Sequence, residues 1–253
     1  MASSCAGLAE LVATCKKRSA LLMVGYNLRF LKPLIRFREL LHSGAVGKIF
    51  SVRSETGQYL PSWRAGTDYR ESVSARRSLG GGVLLELSHE LDYLRLIFGE
   101  VDWVTAVLRR QSNLEIDVED TAHLILGFAR QNGEEQLIGN LSLDFLRHDT
   151  TRTCVAIGEK GSLRWDGVAG TVQQLDAGEI VWRTLFQHSH QRHDSYRSEW
   201  HQFLTCVEND EVPPISGTDG MKVLQLIETA RQSSVMQPYQ MVSDTAQILD
   251  QPE

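Results

Sequence analysis

"VDWVTAVLRRQSNLEIDVEDTAHLILGFAR", residues 101–130, decides the fold class. Apolar and polar residues alternate across 101–110 and again across 118–129, the period of a strand with one buried face. The same pattern returns over 135–146, over 151–157 and in shorter segments to about 185. Adjacent strands with no helix between them imply a largely antiparallel sheet.

Working outward, "GKIFSVRSETGQYL" (47–60) adds another alternating strand. Residues 31–43 place Leu34, Ile35, Phe37, Leu40 and Leu41 on one helical face, with Gly44 as the C-terminal cap. At the front of the chain, residues 3–18 carry Leu8, Leu11, Val12 and Cys15 at helical spacing after Ser3 and Ser4, and "SALLMVGYN" (19–27) reads as a buried strand. Beyond the strands, helices are predicted at 192–208 and 217–234, separated by "NDEVPPISG", whose two prolines stop the first. The predicted class is α+β: an open, mostly antiparallel sheet with helices on one face, preceded by a short α/β unit.

The 253 residues suffice for a sizeable core, and 42% of them are hydrophobic. With 26 Lys and Arg against 32 Asp and Glu, the net charge of −6 argues against nonspecific binding to nucleic-acid phosphates. Apolar runs such as "ALLMVG" fall far short of the roughly 20 residues of a membrane span, and the N-terminus lacks the basic start and apolar core of a secretory signal. A freely diffusing cytoplasmic protein is expected. Cys5, Cys15, Cys154 and Cys206 have neither metal-site spacing nor disulfide density, so free thiols are expected.

Chemistry concentrates in "GGGVLLELSHELDY" (80–93). On one continuous helix Leu84, Leu87, Leu91 and Leu94 share a face, and Glu86, His89, Asp92 and Tyr93 gather opposite. "HELDY" begins like the zinc-protease pattern H-E-x-x-H, but Tyr93 stands where the second imidazole belongs. Glu86 and His89 also match the Glu-x-x-His pair of di-iron bundles, which needs a second such pair that the chain lacks. Two readings stay open: an acid–base pair of Glu86 and His89, or a solvated helix face. Gly80, Gly81 and Gly82 allow close approach of a ligand or another segment, without the G-x-G-x-x-G spacing of a dinucleotide site. "HSHQRHD", with His188, His190 and His193, is either a metal candidate or a solvated loop. Residues 61–79 break every period and read as a long polar functional loop.

The succession of "VGYNLRF", "SGAVGKI", "WRAGTDYRESVSARRSLGGGVLLELSHELDYLRLIFGE", "VAIGEKGSL", "YRSEWHQFL" and "PPISGTDGMKVLQLIETARQSS" resembles the glucose-fructose oxidoreductase, inositol dehydrogenase and rhizopine-catabolism (Gfo/Idh/MocA) family over about residues 3–235. That resemblance implies a C-terminal substrate and dimerisation domain over 28–253, with residues 1–27 as the last helix and strand of a Rossmann domain. It implies NAD or NADP as cofactor in full-length relatives and a sugar or nucleotide sugar as substrate. The family's nucleotide fingerprint and its Glu-Lys-Pro motif have no counterpart here, so this chain alone is expected to bind neither NAD nor NADP and to be inactive. The resemblance makes His89 the catalytic base, with Glu86 where an aspartate is usual. Asn27 and Arg29 fall in the turn beside the site. Trp63 and Arg64 match the pair approaching the nicotinamide and substrate, and Asp68, Tyr69 and Arg70 match a substrate-binding segment. A homodimer through the sheet is expected, with no metal, nucleic acid or membrane partner. A non-catalytic sugar-binding or dimerisation module is the alternative.

Overall fold

The structure, a computed structural model, describes residues 2–130, 135–189, 191 and 193–236. Eight strands form one sheet: β1 (Ile49–Gly57), β2 (Val101–Arg109), β3 (Thr121–Phe128), β4 (Ile138–Asp144), β5 (Thr151–Gly158), β6 (Gly161–Asp166), β7 (Thr171–Asp176) and β8 (Arg183–Gln187). Their spatial order is β2-β3-β4-β1-β5-β6-β7-β8. Every pairing is antiparallel except β1 with β4, which runs parallel with Ser51 opposite Ile138 and Gly57 opposite Asp144. The alternation seen in the sequence is therefore a two-faced sheet, as expected.

Six α-helices among the described residues accompany it: α1 (Leu8–Lys17), α2 (Lys32–His42), α3 (Val83–Glu86), α4 (Ser88–Phe98), α5 (Asp194–Asn209) and α6 (Gly217–Val235). One sheet face packs under α2, α3, α4 and α6, and its inward residues are buried: Val52, Ala106, Leu124, Leu141, Ala156, Leu163 and Trp165. Leu84, Leu91 and Leu94 fill the same layer from the helices, each contributing roughly 1.5–3 kcal/mol by leaving water. The other face carries no helix among the described residues. Trp103, Ile125 and Ile138 stand on it with exposures of 40%, 42% and 37%, and Gly127 leaves room for the Trp103 indole, whose Nε1 donates to Gln136.

Two local departures from the predicted elements have physical causes. Residues 19–27 do not form a ladder strand: Met23 makes a single antiparallel bridge with Ser216, and Val24 N–H donates to the Ile215 carbonyl. A lone apolar segment with no neighbouring strand has nothing to continue the ladder. The helix expected after the glycines is broken in two at Leu87 (φ −101, ψ 23). The loop over 61–79 is built from short 3-10 turns, including Tyr69–Glu71, where Asp68 accepts from the Arg70 amide.

All four cysteines are free, with Cys154 and Cys206 buried. No helix among the described residues is long and apolar enough to cross a membrane.

Candidate functional site

The glycines that precede α3 serve packing. Gly82 adopts φ +111, and a Cβ there would lie 2.3 Å from the Glu119 carboxylate; on Gly81 it would lie 2.2 Å from the Val73 carbonyl. Only glycine lets the 73–76 and 117–119 segments meet the helix start this closely. Val83 N–H donates to the Glu119 carbonyl, so the approaching partner is another segment of the chain.

The break at Leu87 separates the expected catalytic pair. Among the described residues, no hydrogen bond or ion pair joins Glu86 to His89. Glu86 lines a cleft of about 530 Å³ with Val24, Gly25, Tyr26, Gly80, Ser88 and Gly220. His89 turns toward the sheet, where its Nε2 lies 2.8 Å from an Arg152 guanidinium nitrogen on β5. Arg152 Nε in turn donates to Glu90 Oε1 at 2.9 Å. Glu90 is fully buried near Thr56 and Tyr93, and its Oε2 has no hydrogen-bond partner among the described residues. Tyr93 Oη instead pairs with Ser54 Oγ at 2.7 Å and sets its ring edge-on to Trp165.

Burial, and then the positive charge of Arg152, hold the His89 imidazole well below its ordinary pKa. Burial raises the Glu90 carboxyl, opposed by Arg152. The polar residues of α4 therefore do not converge on one solvated face: Glu90, Asp92 and Tyr93 are buried in separate contacts. The helix lies between the sheet and the chain's other helices, so polar positions become core positions, each with a dedicated partner.

Asn27 donates to Ser195 Oγ at the start of α5, tying the 27–30 turn to that helix. Arg29 makes a two-point bond to the buried Asp92 at 2.6 and 2.8 Å, reaches Asp219 at 3.5 Å and donates to the Pro214 carbonyl. That geometry makes Arg29 a clamp among three segments. Trp63 donates from Nε1 to the Gln58 carbonyl and meets Phe145 edge-on. It shares a narrow crevice with Arg64, Thr67, Tyr69 and Ser74. Asp68 and Arg70 bind one another in the open, Arg70 also reaches Glu115, and Tyr69 Oη accepts from the Glu115 amide. The nominated residues thus fall into four places: the Glu86 cleft, the sheet-facing His89, the 27–30 turn with Asn27 and Arg29, and the 63–70 loop.

His193 is the residue before α5, His188 packs near Phe186, and His190 lies outside the described residues. No group of three metal-ligating side chains converges among the described residues. Arg152 and Glu90 were not nominated from the sequence. The signal was present in "TRTCVAIG": Arg152 is in phase with Cys154 and Ala156, which face inward, and a cation on an inward position demands a buried partner.

Among the described residues, Glu86 is the sole charged side chain lining its cleft. A dinucleotide pyrophosphate needs cations or a helix N-terminus with free N–H groups, so these residues do not fit one.

Comparison with known proteins agrees with the sequence resemblance. The family model described as "Oxidoreductase family, C-terminal alpha/beta domain", of Gfo/Idh/MocA type, matches residues 38–240. Myo-inositol 2-dehydrogenase of Thermotoga maritima is 27% identical over 235 residues, covering 88% of this chain and 65% of that protein. The chain thus spans just under two thirds of this relative's length. Levoglucosan dehydrogenase in complex with NADH and levoglucosan superposes with a TM-score of 0.80 at 20% identity, over 93% of this chain and 70% of that one. The aldose-aldose oxidoreductase of Caulobacter crescentus, complexed with glycerol, gives 0.77 at 23% identity, over 93% and 68%. At these identities the structural likeness speaks for the fold.

Proposed function

The chain belongs to the Gfo/Idh/MocA oxidoreductase family, as its C-terminal alpha/beta domain, and on that premise we propose that it is the substrate-binding and catalytic part of an NAD(P)-dependent enzyme acting on a sugar or nucleotide-sugar hydroxyl. The observation that carries the reading is the His89 imidazole, held by Arg152 and Glu90 on the helix-covered side of the sheet. Such a partly exposed neutral ring suits hydrogen bonding to a reacting oxygen. A nicotinamide, when bound, supplies the hydride acceptor or donor. With no cationic cradle beside Glu86, the cofactor depends on a nucleotide-binding domain, and the described residues alone are inactive.

Calorimetry on the 253-residue chain tests this. A cyclic polyol such as myo-inositol is expected to bind, and NADH is not. Submillimolar NADH binding, or turnover of a polyol with NAD by this chain alone, overturns the dependence on a further domain. Absence of binding by any polyol or nucleotide sugar overturns the substrate class.

The helix-free sheet face supports a second role. Trp103, Ile125 and Ile138 on one broad surface suit pairing with a second copy, so a cytoplasmic homodimer is proposed. Light scattering at micromolar concentration is expected to give twice the 28.4 kDa chain mass; a monomer overturns it.

A further inference from the structure

The contact between Arg152 and His89 identifies which ring nitrogen carries the proton. A guanidinium has donors and no acceptor, so the His89 Nε2 at 2.8 Å from it must offer a lone pair. The neutral ring then carries its proton on Nδ1. Glu90 Oε1 lies 3.4 Å from the same Nε2, and a proton there would have to displace the Arg152 donor from Nε2. Nδ1 has no hydrogen-bond partner among the described residues, and the His89 side chain keeps 22% of its surface exposed.

Arg152 is itself fixed. Its backbone pairs with Thr56 on β1, its carbonyl accepts from the Gly167 amide, and its side chain lies against the place where a Gly167 Cβ would fall, 2.9 Å from its Cδ. The guanidinium is thus aimed from the sheet and anchored by a buried carboxylate on the same helix as His89.

We propose that Arg152, anchored by Glu90, is a positioning residue that locks His89 as the Nδ1–H tautomer, with Nε2 occupied and the Nδ1 proton turned to the open side of the ring. His89 then meets a substrate oxygen as a hydrogen-bond donor, rather than as the base that accepts the hydroxyl proton. This role deepens the oxidoreductase reading, on which the identity of the oxygen rests. The tautomer itself rests on the Arg152 geometry alone.

Long-range nitrogen–proton NMR on the nitrogen-15-labelled 253-residue chain near pH 7.5 tests it, with the His89 signals assigned by their loss in His89→Gln. The expected spectrum has a protonated Nδ1 and an unprotonated Nε2, the reverse of the form that predominates for a free histidine side chain. Arg152→Met removes the donor and is expected to move the proton to Nε2, facing Glu90. Arg152→Lys, which keeps a donor without an acceptor, is expected to retain Nδ1–H. If Arg152→Met does not fold because Glu90 is left buried and unpaired, the Glu90→Gln/Arg152→Met double variant replaces it, with the same expected switch. A protonated Nε2 in the unmodified chain overturns the proposal, as does a tautomer unchanged in whichever of the two Met variants folds. No substrate or cofactor enters the measurement, so failure of polyol binding would sink the functional reading and leave the tautomer assignment intact.

Discussion

Asp92 with Arg29 and Asp68 with Arg70 are both two-point carboxylate–guanidinium pairs of nearly equal length, one in the core and one on the surface of the 61–79 loop. The core pair joins segments far apart in the chain, and Asp92 is fully buried. The loop pair joins residues two apart, and each side chain keeps more than a third of its surface in water. Arg70 holds the Asp68 carboxyl down to about 2, a local effect on a group that water and salt also reach. Geometry alone therefore does not rank an ion pair. What is left behind when one partner goes decides its weight.

The sharpest way to break this contrast is Asp92→Ala, which strands a largely buried guanidinium and is expected to cost about 3–5 kcal/mol in urea unfolding. The Asp92→Leu/Arg29→Met double variant is expected to recover most of that loss, since no buried charge then lacks a partner.

A second effect concerns acid. His89 is held neutral in the folded state, so below its ordinary value of 6.5 the unfolded chain takes up a proton that the folded chain refuses. Its contribution to stability is therefore full above that value and lost as pH falls, by at most about 1.4 kcal/mol per pH unit. Glu90 acts in the opposite sense: its raised carboxyl favours the folded state as pH falls toward 4.5. Unfolding midpoints measured from pH 7.5 to 5 are expected to fall less steeply in His89→Gln than in the unmodified protein.

Smaller still is Ser216→Ala. Ser216 Oγ accepts from the Asp219 amide while the Asp219 carboxylate accepts from the Ser216 amide. Loss of that reciprocal cap at the start of α6 is expected to cost about 1 kcal/mol in the same assay. Arg70→Ala, at the surface end of the comparison, is expected to leave the unfolding midpoint unchanged within error; a clear drop would show that the loop pair matters beyond its exposure.

The sheet was legible in the sequence because a two-faced sheet writes its burial directly into alternation, strand after strand from Ile49 to Gln187. The helix bearing His89 was legible as a helix, and the separation of His89 from Glu86 was not. Period reports which residues share a face; it does not report that Leu87 interrupts the rotation between Glu86 and His89, or that both sides of α4 are covered. Arg152 lies 63 positions from His89 and meets it only because β5 is laid beside β1, a pairing that no local pattern encodes. Residues 19–27 show the converse limit. An apolar run names a segment that turns some side chains inward, here Val24 and Tyr26, while a strand requires a neighbour that the sequence of that run cannot supply.

The single parallel pairing, β1 beside β4, has a kinetic consequence. β2-β3-β4 and β5-β6-β7-β8 are two meanders that can grow by successive hairpin closures between residues near in sequence. β1 is the seam between them, and it sets Ser51 against Ile138 on one side and against Ile157 on the other, both across a long stretch of chain. Loop-closure entropy must be met there before any native contact compensates for it. The slow event in forming this domain is then the seating of β1 between β4 and β5, so substitutions that weaken the seam retard folding out of proportion to the stability they remove.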